Sequence, residues 1–289
     1  MSIHLYGLLR IDEQERASAN LTTKNFSEQL AVYARAGVTL ARSLKAQGIS
    51  FTLLTNQRDT VTSHIGATAD TLAVQEIPFT TKVPHGTQFF SAHYKLDAYR
   101  YLSTLKQDYV GLCDLDMVCM RNIPQSLSNI IAAKIPLYYD ISDQVIPAYG
   151  QEIILENLTS IHGLKSEGRW YGGEFISGPP TFFDLLTRTV EEVYPRYIEN
   201  LASMHHVGDE AYTSAALETI RRKLGCLGDA GTVGIVGRFW NAPVKHPQKP
   251  FDYFRDCFLL HLPADKPFLA YFDGEPSTFI SAYQAHLKR

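Results

Sequence analysis

Apolar runs alternate along this chain with stretches of helical spacing, the pattern of an α/β layered protein. Ile3 to Leu9 reads as a first strand. A helix follows from about Ser27 to Gln47, with an apolar stripe of Leu30, Tyr33, Gly37, Leu40 and Leu44, and Gly48 as its terminator. Phe51 to Thr55 gives a second strand, and Val74 to Phe79 a third, with Pro78 near its end. Ser91 to Leu105 reads as helical and leads into the buried run Tyr109-Val110-Gly111-Leu112-Cys113. Beyond it, strands are predicted at Ile135 to Tyr139, Phe175-Ile176 and Phe258 to Leu262. Helices are predicted from Pro179-Pro180 to about Tyr194, from Asp209 to Lys223 and from Pro276 to Leu287. Prolines suit a first helical turn, and Pro195 should stop or kink the helix it meets. Acids at the start of the Asp209 helix and Arg221-Arg222-Lys223 at its end complement the helix dipole.

This order predicts a mixed, mainly parallel central sheet flanked by helices. No repeat, low-complexity tract or linker interrupts it, so the expectation is one domain over residues 1–289. Its 289 residues suffice for a large core, and 45% hydrophobic with 20% charged residues is ordinary for a globular protein. A net charge of −3 offers no basic face for nucleic acid. No apolar run reaches the roughly 18 residues of a membrane span, and Met1 to Tyr6 lacks the pattern of a secretory signal. Cytoplasm is the expected location. Cys113, Cys119, Cys226 and Cys257 form no C-x-x-C pair, which argues against structural zinc or a disulfide framework.

The chemistry concentrates at Asp114-Leu115-Asp116, where the buried run ends. Two carboxylates at the exit of a buried strand are costly unless positive charge meets them. If extension persists, both point the same way. Hard oxygen donors suit a divalent cation such as Mg2+ or Mn2+. A nucleophilic aspartate is the rival use. The segment Leu112 to Val118 also satisfies the apolar-D-x-D-x-V signature of haloacid-dehalogenase phosphatases. In that family the nucleophile lies near the N-terminus, with a Thr/Ser-ended strand after it. Here the matching strand, Phe51 to Asn56, comes before it.

Ser91 to Pro124 resembles glycosyltransferase family 8, the family of glycogenin and of bacterial lipooligosaccharide galactosyltransferases. The likeness runs through Tyr94-Lys95-Leu96-Asp97-Ala98-Tyr99-Arg100, the D-x-D strand and Arg121-Asn122-Ile123-Pro124. Downstream, His261-Leu262-Pro263-Ala264-Asp265-Lys266-Pro267-Phe268 is similar to the family's H-x-x-G-x-x-K-P-W. It is one residue short between His261 and Lys266, and Phe268 replaces tryptophan. The resemblance implies the GT-A fold, a nucleotide-binding half over about 1–124 and an acceptor half over about 125–289. It further implies a UDP-sugar donor, a glycan or lipid-linked glycan acceptor, retention of configuration and a place in polysaccharide biosynthesis. Asp114, Asp116 and His261 would hold Mn2+ or Mg2+, the imidazole favouring Mn2+. Lys95, Asp114 and Lys266 would serve the donor.

By fold analogy, Tyr6, Gly7 and Leu8 would meet the nucleobase, the tyrosine by stacking and the glycine by close backbone approach. Trp170 to Gly178 resembles the family's f-N-S-G-v segment without its asparagine. Its glycines suggest a substrate loop with Glu174 in reach of the sugar. Gly208-Asp209-Glu210 resembles an Asp-Gln pair in which Glu210 replaces glutamine. Asp209 would then face sugar hydroxyls and Glu210 the anomeric carbon. With inversion instead, Asp209, Glu210 or Glu174 is the candidate base. His205-His206 is a weaker acceptor-side candidate. The altered positions also admit a sugar-nucleotide-binding protein that has lost turnover.

Overall fold

A computed structural model describes residues 3–18, 21, 23–225 and 227–288. Cys226 lies outside them. The strands are β1 (His4–Leu9), β2 (Ser50–Thr55), β3 (Ala73–Glu76), β4 (Val110–Cys113), β5 (Met117–Cys119), β6 (Leu137–Asp140), β7 (Tyr171–Gly178), β8 (Gly228–Asp229), β9 (Val236–Arg238) and β10 (Leu259–His261). Seven form a sheet in the order β3-β2-β1-β4-β7-β6-β8, and β5-β10-β9 form a second, smaller sheet. In the large sheet β7 alone runs antiparallel to its neighbours, β4 and β6. The chain leaves β1 toward β2 and β3, then crosses back to β4 on the other side. A crevice opens where strand order reverses in this way, beyond the carboxyl ends of β1 and β4.

The helix Phe26–Lys45 begins at Asn25, whose side chain accepts the Glu28 backbone N–H at 2.8 Å. Leu30, Ala34, Leu40 and Leu44 pack on the large sheet, as the apolar stripe requires. Its other side is buried too. Thr39 donates to the Leu269 carbonyl at 2.8 Å, and Ser43 Oγ accepts the Cys119 N–H at 2.9 Å. Small residues there admit the C-terminal layer, which includes the helix Lys266–Tyr271. A second core, with Val118, Leu260, Leu262, Leu269, Phe279 and Tyr283, lies in that layer.

Several elements differ from their sequence expectation. The third strand ends at Glu76. Ile77 still donates to the Thr55 carbonyl at 2.9 Å, and Pro78 then has no N–H to offer. The Pro180–Glu199 helix continues through Pro195, because its last turn is anchored by buried Tyr197, whose hydroxyl accepts the Gly208 N–H at 2.8 Å. The glycine pair expected in a loop before a short strand instead lies within the eight-residue β7, inside the large sheet. Among the described residues, no helix is long and apolar enough to cross a membrane.

Candidate active site

Asp114, Leu115 and Asp116 bridge the two sheets. The Asp114 N–H donates to the Glu174 carbonyl at 3.0 Å, extending the β4–β7 ladder, while the Leu262 N–H donates to the Asp116 carbonyl at 2.9 Å, extending β5–β10. Strand extension does not persist across the pair. The residues bend between β4 and β5, and each backbone is fixed by a different sheet. Leu115, 5% exposed, is driven into the core between them.

The β10–β5 register sets His261 opposite Met117, beside Asp116. Its Nε2 lies 3.3 Å from Asp116 Oδ2 and 4.0 Å from Asp114 Oδ2. Ligand atoms of all three residues fall within 4.8 Å of one another. Although buried, Nε2 makes no aligned hydrogen bond. An imidazole nitrogen that makes no aligned hydrogen bond and faces two carboxylates belongs to a donor set that suits a divalent cation.

Cations already surround the acids. Lys95 Nζ lies 2.8 Å from Asp114 Oδ1 and 2.9 Å from Asp209 Oδ2, and donates to the Gly173 carbonyl at 2.7 Å. Lys266 Nζ lies 2.7 Å from Asp116 Oδ2 and donates to the Pro263 carbonyl at 2.8 Å. Burial works against the charge on Lys95, yet Asp114 and Asp209 hold its ammonium well above the ordinary lysine range. Burial raises Asp114 despite Lys95. At Asp116 burial is outweighed by Lys266 and His261, which hold the carboxyl well below its usual range. His261 rises to about 9, since Asp116 and Glu174 overcome the cost of burying its charge.

The cleft above this cluster is lined on one side by Leu8 to Asp12, Gln29, Leu30 and Tyr33, and on the other by Gly173, His206, Asp209, Glu210, Arg238 and Trp240. Lys95, Asp114, Asp116, His261 and Lys266 form its floor.

The structure therefore gathers most of the residues expected from sequence, with three exceptions. Tyr6 and Gly7 do not line the cleft. The Tyr6 ring stacks on His4 at 4.5 Å and its hydroxyl accepts from Gln107 at 3.2 Å. A Cβ on Gly7 would meet Leu115 at 2.5 Å and Phe51 at 2.8 Å, so that glycine makes room for core side chains. Leu8 does line the cleft, and the wall continues into Leu9 to Asp12. Glu174 is the third exception. It is 1% exposed, does not line the cleft, and is bonded to His261 and 3.5 Å from Arg238 Nε, so its carboxylate is turned to these two residues. Asp97, two residues after Lys95, accepts the N–H groups of Thr80 and Thr81 and pairs with Arg100.

Arg238, Trp240 and Tyr33 are cleft residues that sequence reading does not single out for chemistry. β9 is three residues long, too short for a periodic signal, and Tyr33 reads as part of a core stripe. Glu210 is held by Trp170, whose Nε1 donates to it at 2.8 Å, and His206 Nε2 lies 3.5 Å away.

No protein-family model matches the chain, and no curated protein matches its sequence. Solved structures do. The galactosyltransferase LgtC, in complex with donor and acceptor sugar analogues, matches with a TM-score of 0.52 at 10% identity, over 96% of this chain and 99% of that one. The fold is GT-A. A glutamine-to-glutamate active-site mutant of LgtC matches with a TM-score of 0.50 at 11% identity, over 98% and 95% of the two chains. The bifunctional glycosyltransferase WbbM, without ligand, gives 0.53 at 9% identity. The match covers 98% of this chain and 51% of WbbM, so the chain spans about half of that protein. The GT-A fold and its topology agree with the expectation drawn from the motifs.

Proposed function

We propose that the chain is a metal-dependent glycosyltransferase, a single catalytic unit that moves a hexose from a UDP-sugar to a hydroxyl of a glycan or lipid-linked glycan, with retention. The observation that carries this reading is the convergence of Asp114, Asp116 and His261 at the switch-point cleft, with Nε2 of His261, which makes no aligned hydrogen bond, facing both carboxylates. The GT-A fold shared with LgtC supports it.

Asp114, Asp116 and His261 would hold Mn2+ or Mg2+, which as a Lewis acid neutralises charge growing on the departing diphosphate. Lys266 adds a compact positive charge beside Asp116, where the phosphates would lie. Leu8 to Asp12 and Tyr33 line the cleft and would form the wall for the nucleoside, and Asp209 with Gly173 would border the donor sugar. Lys95 fixes Asp209 against Asp114.

In the transfer, the bond from the sugar's anomeric carbon to the diphosphate oxygen breaks. A bond from that carbon to the acceptor oxygen forms on the same face, and the acceptor proton passes to the departing phosphate oxygen. Retention then needs no strong base. Glu210, which stands where the family motif has glutamine and is tethered by Trp170, would face the anomeric carbon. One matched LgtC structure carries that kind of exchange in its active site.

The test is UDP release from a panel of UDP-hexoses with Mn2+, comparing wild type with Asp116→Ala and His261→Ala. Turnover in the wild type and its loss in both variants is the expected result. Equal turnover in all three removes the metal assignment. A second reading, binding without turnover, is favoured by the lysine already paired with each of Asp114 and Asp116. Tight UDP binding with neither transfer nor hydrolysis across many acceptors selects it. The phosphatase reading rests on the D-x-D strand alone, and a phosphoryl group trapped on Asp114 is the result that restores it.

A further inference from the structure

We propose that Glu174 is a positioning residue for the metal centre: its carboxylate takes the Nδ1–H of His261, fixes the imidazole tautomer and leaves Nε2 as the cation's ligand. This rests on the metal reading above and adds to it a residue that touches neither metal nor substrate.

Glu174 Oε1 lies 3.3 Å from His261 Nδ1 and 3.5 Å from Arg238 Nε. The permanently charged guanidinium of Arg238 stands beside the same oxygen and pairs with it as a carboxylate. A carboxylate paired with an arginine only accepts hydrogen bonds, so the contact with Nδ1 places the hydrogen on the ring. An imidazole that ligates a cation is neutral and carries one N–H. Its lone pair is therefore on Nε2, the atom that faces Asp114 and Asp116 without a hydrogen bond.

The backbone is shaped around this contact. Pairing of β6 with β7 jumps from Tyr138 with Ile176 to Tyr139 with Gly172, so 173–175 bulge from that ladder while β4 still pairs with Phe175. Gly172 lacks the Cβ that would collide with the Glu174 carboxylate. The Glu174 carbonyl also accepts the Asp114 N–H at 3.0 Å. One residue thus orients one candidate ligand through its side chain and another through its main chain. A carboxylate behind a metal-bound histidine fixes the ring and raises its basicity, and losing it weakens metal affinity by about 10- to 100-fold.

The experiment uses the full chain without donor, with Mn2+ as the probe followed by electron paramagnetic resonance and Co2+ as a second probe followed by its visible spectrum. Wild type, His261→Ala, Glu174→Gln and Glu174→Gln/Arg238→Met are compared. The double variant removes both buried charges, and it decides the question if Glu174→Gln, which strands the arginine, fails to fold. The expected result is Mn2+ affinity reduced about 10- to 100-fold in a folded Glu174 variant, with shifted Co2+ bands and an unchanged circular dichroism spectrum. Wild-type affinity and an unchanged Co2+ spectrum in that variant, with both lost in His261→Ala, reduce Glu174 to packing and overturn the proposal. If wild type binds no Mn2+, or His261→Ala binds it equally well, the metal reading itself has failed and this inference falls with it.

Discussion

Lys95 Nζ lies 2.9 Å from Asp209 Oδ2, and the two residues open different helices, Lys95–Ser103 and Asp209–Leu224, that meet at the cleft floor. The same ammonium reaches Asp114 at 2.8 Å, so one cation spans a candidate metal ligand and a candidate sugar contact. Removing it leaves the buried Asp209 and the partly exposed Asp114 without their shared partner. Lys95→Met is expected to cost about 3–5 kcal/mol of stability, the range for breaking a buried ion pair. UDP release is expected to fall by about 100-fold or more, as both candidate anchors of the donor lose their spacing. Denaturant unfolding and steady-state turnover read the two effects separately. Lys95→Arg should not rescue, because the planar guanidinium has a different reach and Gly173 closes the space above it.

Gly173 and Gly37 should respond oppositely to alanine. A Cβ on Gly173 would strike the Asp209 carboxylate and come within 2.9 Å of Lys95 Nζ. Both are side-chain tips that can move, so the expected cost falls on activity more than on folding. Gly37 lies inside the Phe26–Lys45 helix, where a new Cβ finds its nearest neighbour, Leu115, at an ordinary 3.7 Å. Gly37→Ala is expected to stabilise the protein by roughly 0.5–1 kcal/mol, the helical advantage of alanine over glycine. Thermal unfolding with UDP release on both variants tests the contrast. Retained turnover in Gly173→Ala defeats the first half of the expectation.

This contrast bears on how far the sequence can be read. The D-x-D stands out because two acids at the exit of a buried apolar run are costly without positive charge, and His261 and Lys266 because they lie in a second segment that resembles the same family. β7 escapes the sequence for the opposite reason. Gly172 and Gly173 lower strand propensity locally, yet they are needed where the sheet passes beneath buried charges, which is a tertiary requirement. Pro195 likewise predicts a helix end, and the buried ring of Tyr197 carries the helix past it. Arg238 and Trp240 lie at and just beyond the end of a three-residue strand that leaves no periodic trace. Analogy puts Tyr6 and Gly7 at the strand end, whereas the cleft wall begins one residue later.

Gly7 gives a direct test of that shift. Its missing side chain is space for Leu115 and Phe51, so Gly7→Ala overpacks the core. The expected cost is about 1–3 kcal/mol. Leu115→Ala alone, a buried leucine truncated, is expected to cost about 2–5 kcal/mol. The double variant Gly7→Ala/Leu115→Ala should be more stable than the sum of the two losses allows, since the new methyl fills part of the vacated space. Strict additivity in denaturant unfolding contradicts this packing account. A Gly7→Ala variant of unaltered stability but much weaker UDP binding returns Gly7 to the base site.

His93 predicts the direction of acid sensitivity. It is 0% exposed; its Nδ1–H donates to the Phe89 carbonyl at 3.1 Å, and Nε2 accepts the Tyr197 hydroxyl at 2.7 Å. Burial lowers it below the ordinary 6.5. Asp209 and the backbone carbonyls of Phe89 and Phe90 act in the opposite sense, and His206 reinforces the lowering. The unfolded chain therefore takes up a proton that the folded one refuses. The contribution of neutral His93 is therefore fully present above pH 6.5 and is lost as pH falls from there toward the folded value. Each such proton gives a slope of up to about 1.4 kcal/mol per pH unit. His93→Gln, always neutral, should remove that slope below about pH 6.5 while Asp and Glu titrations at lower pH persist. Stability measured by denaturant unfolding between about pH 5 and pH 7 in wild type and variant, with parallel curves throughout, is the outcome that contradicts a buried neutral His93.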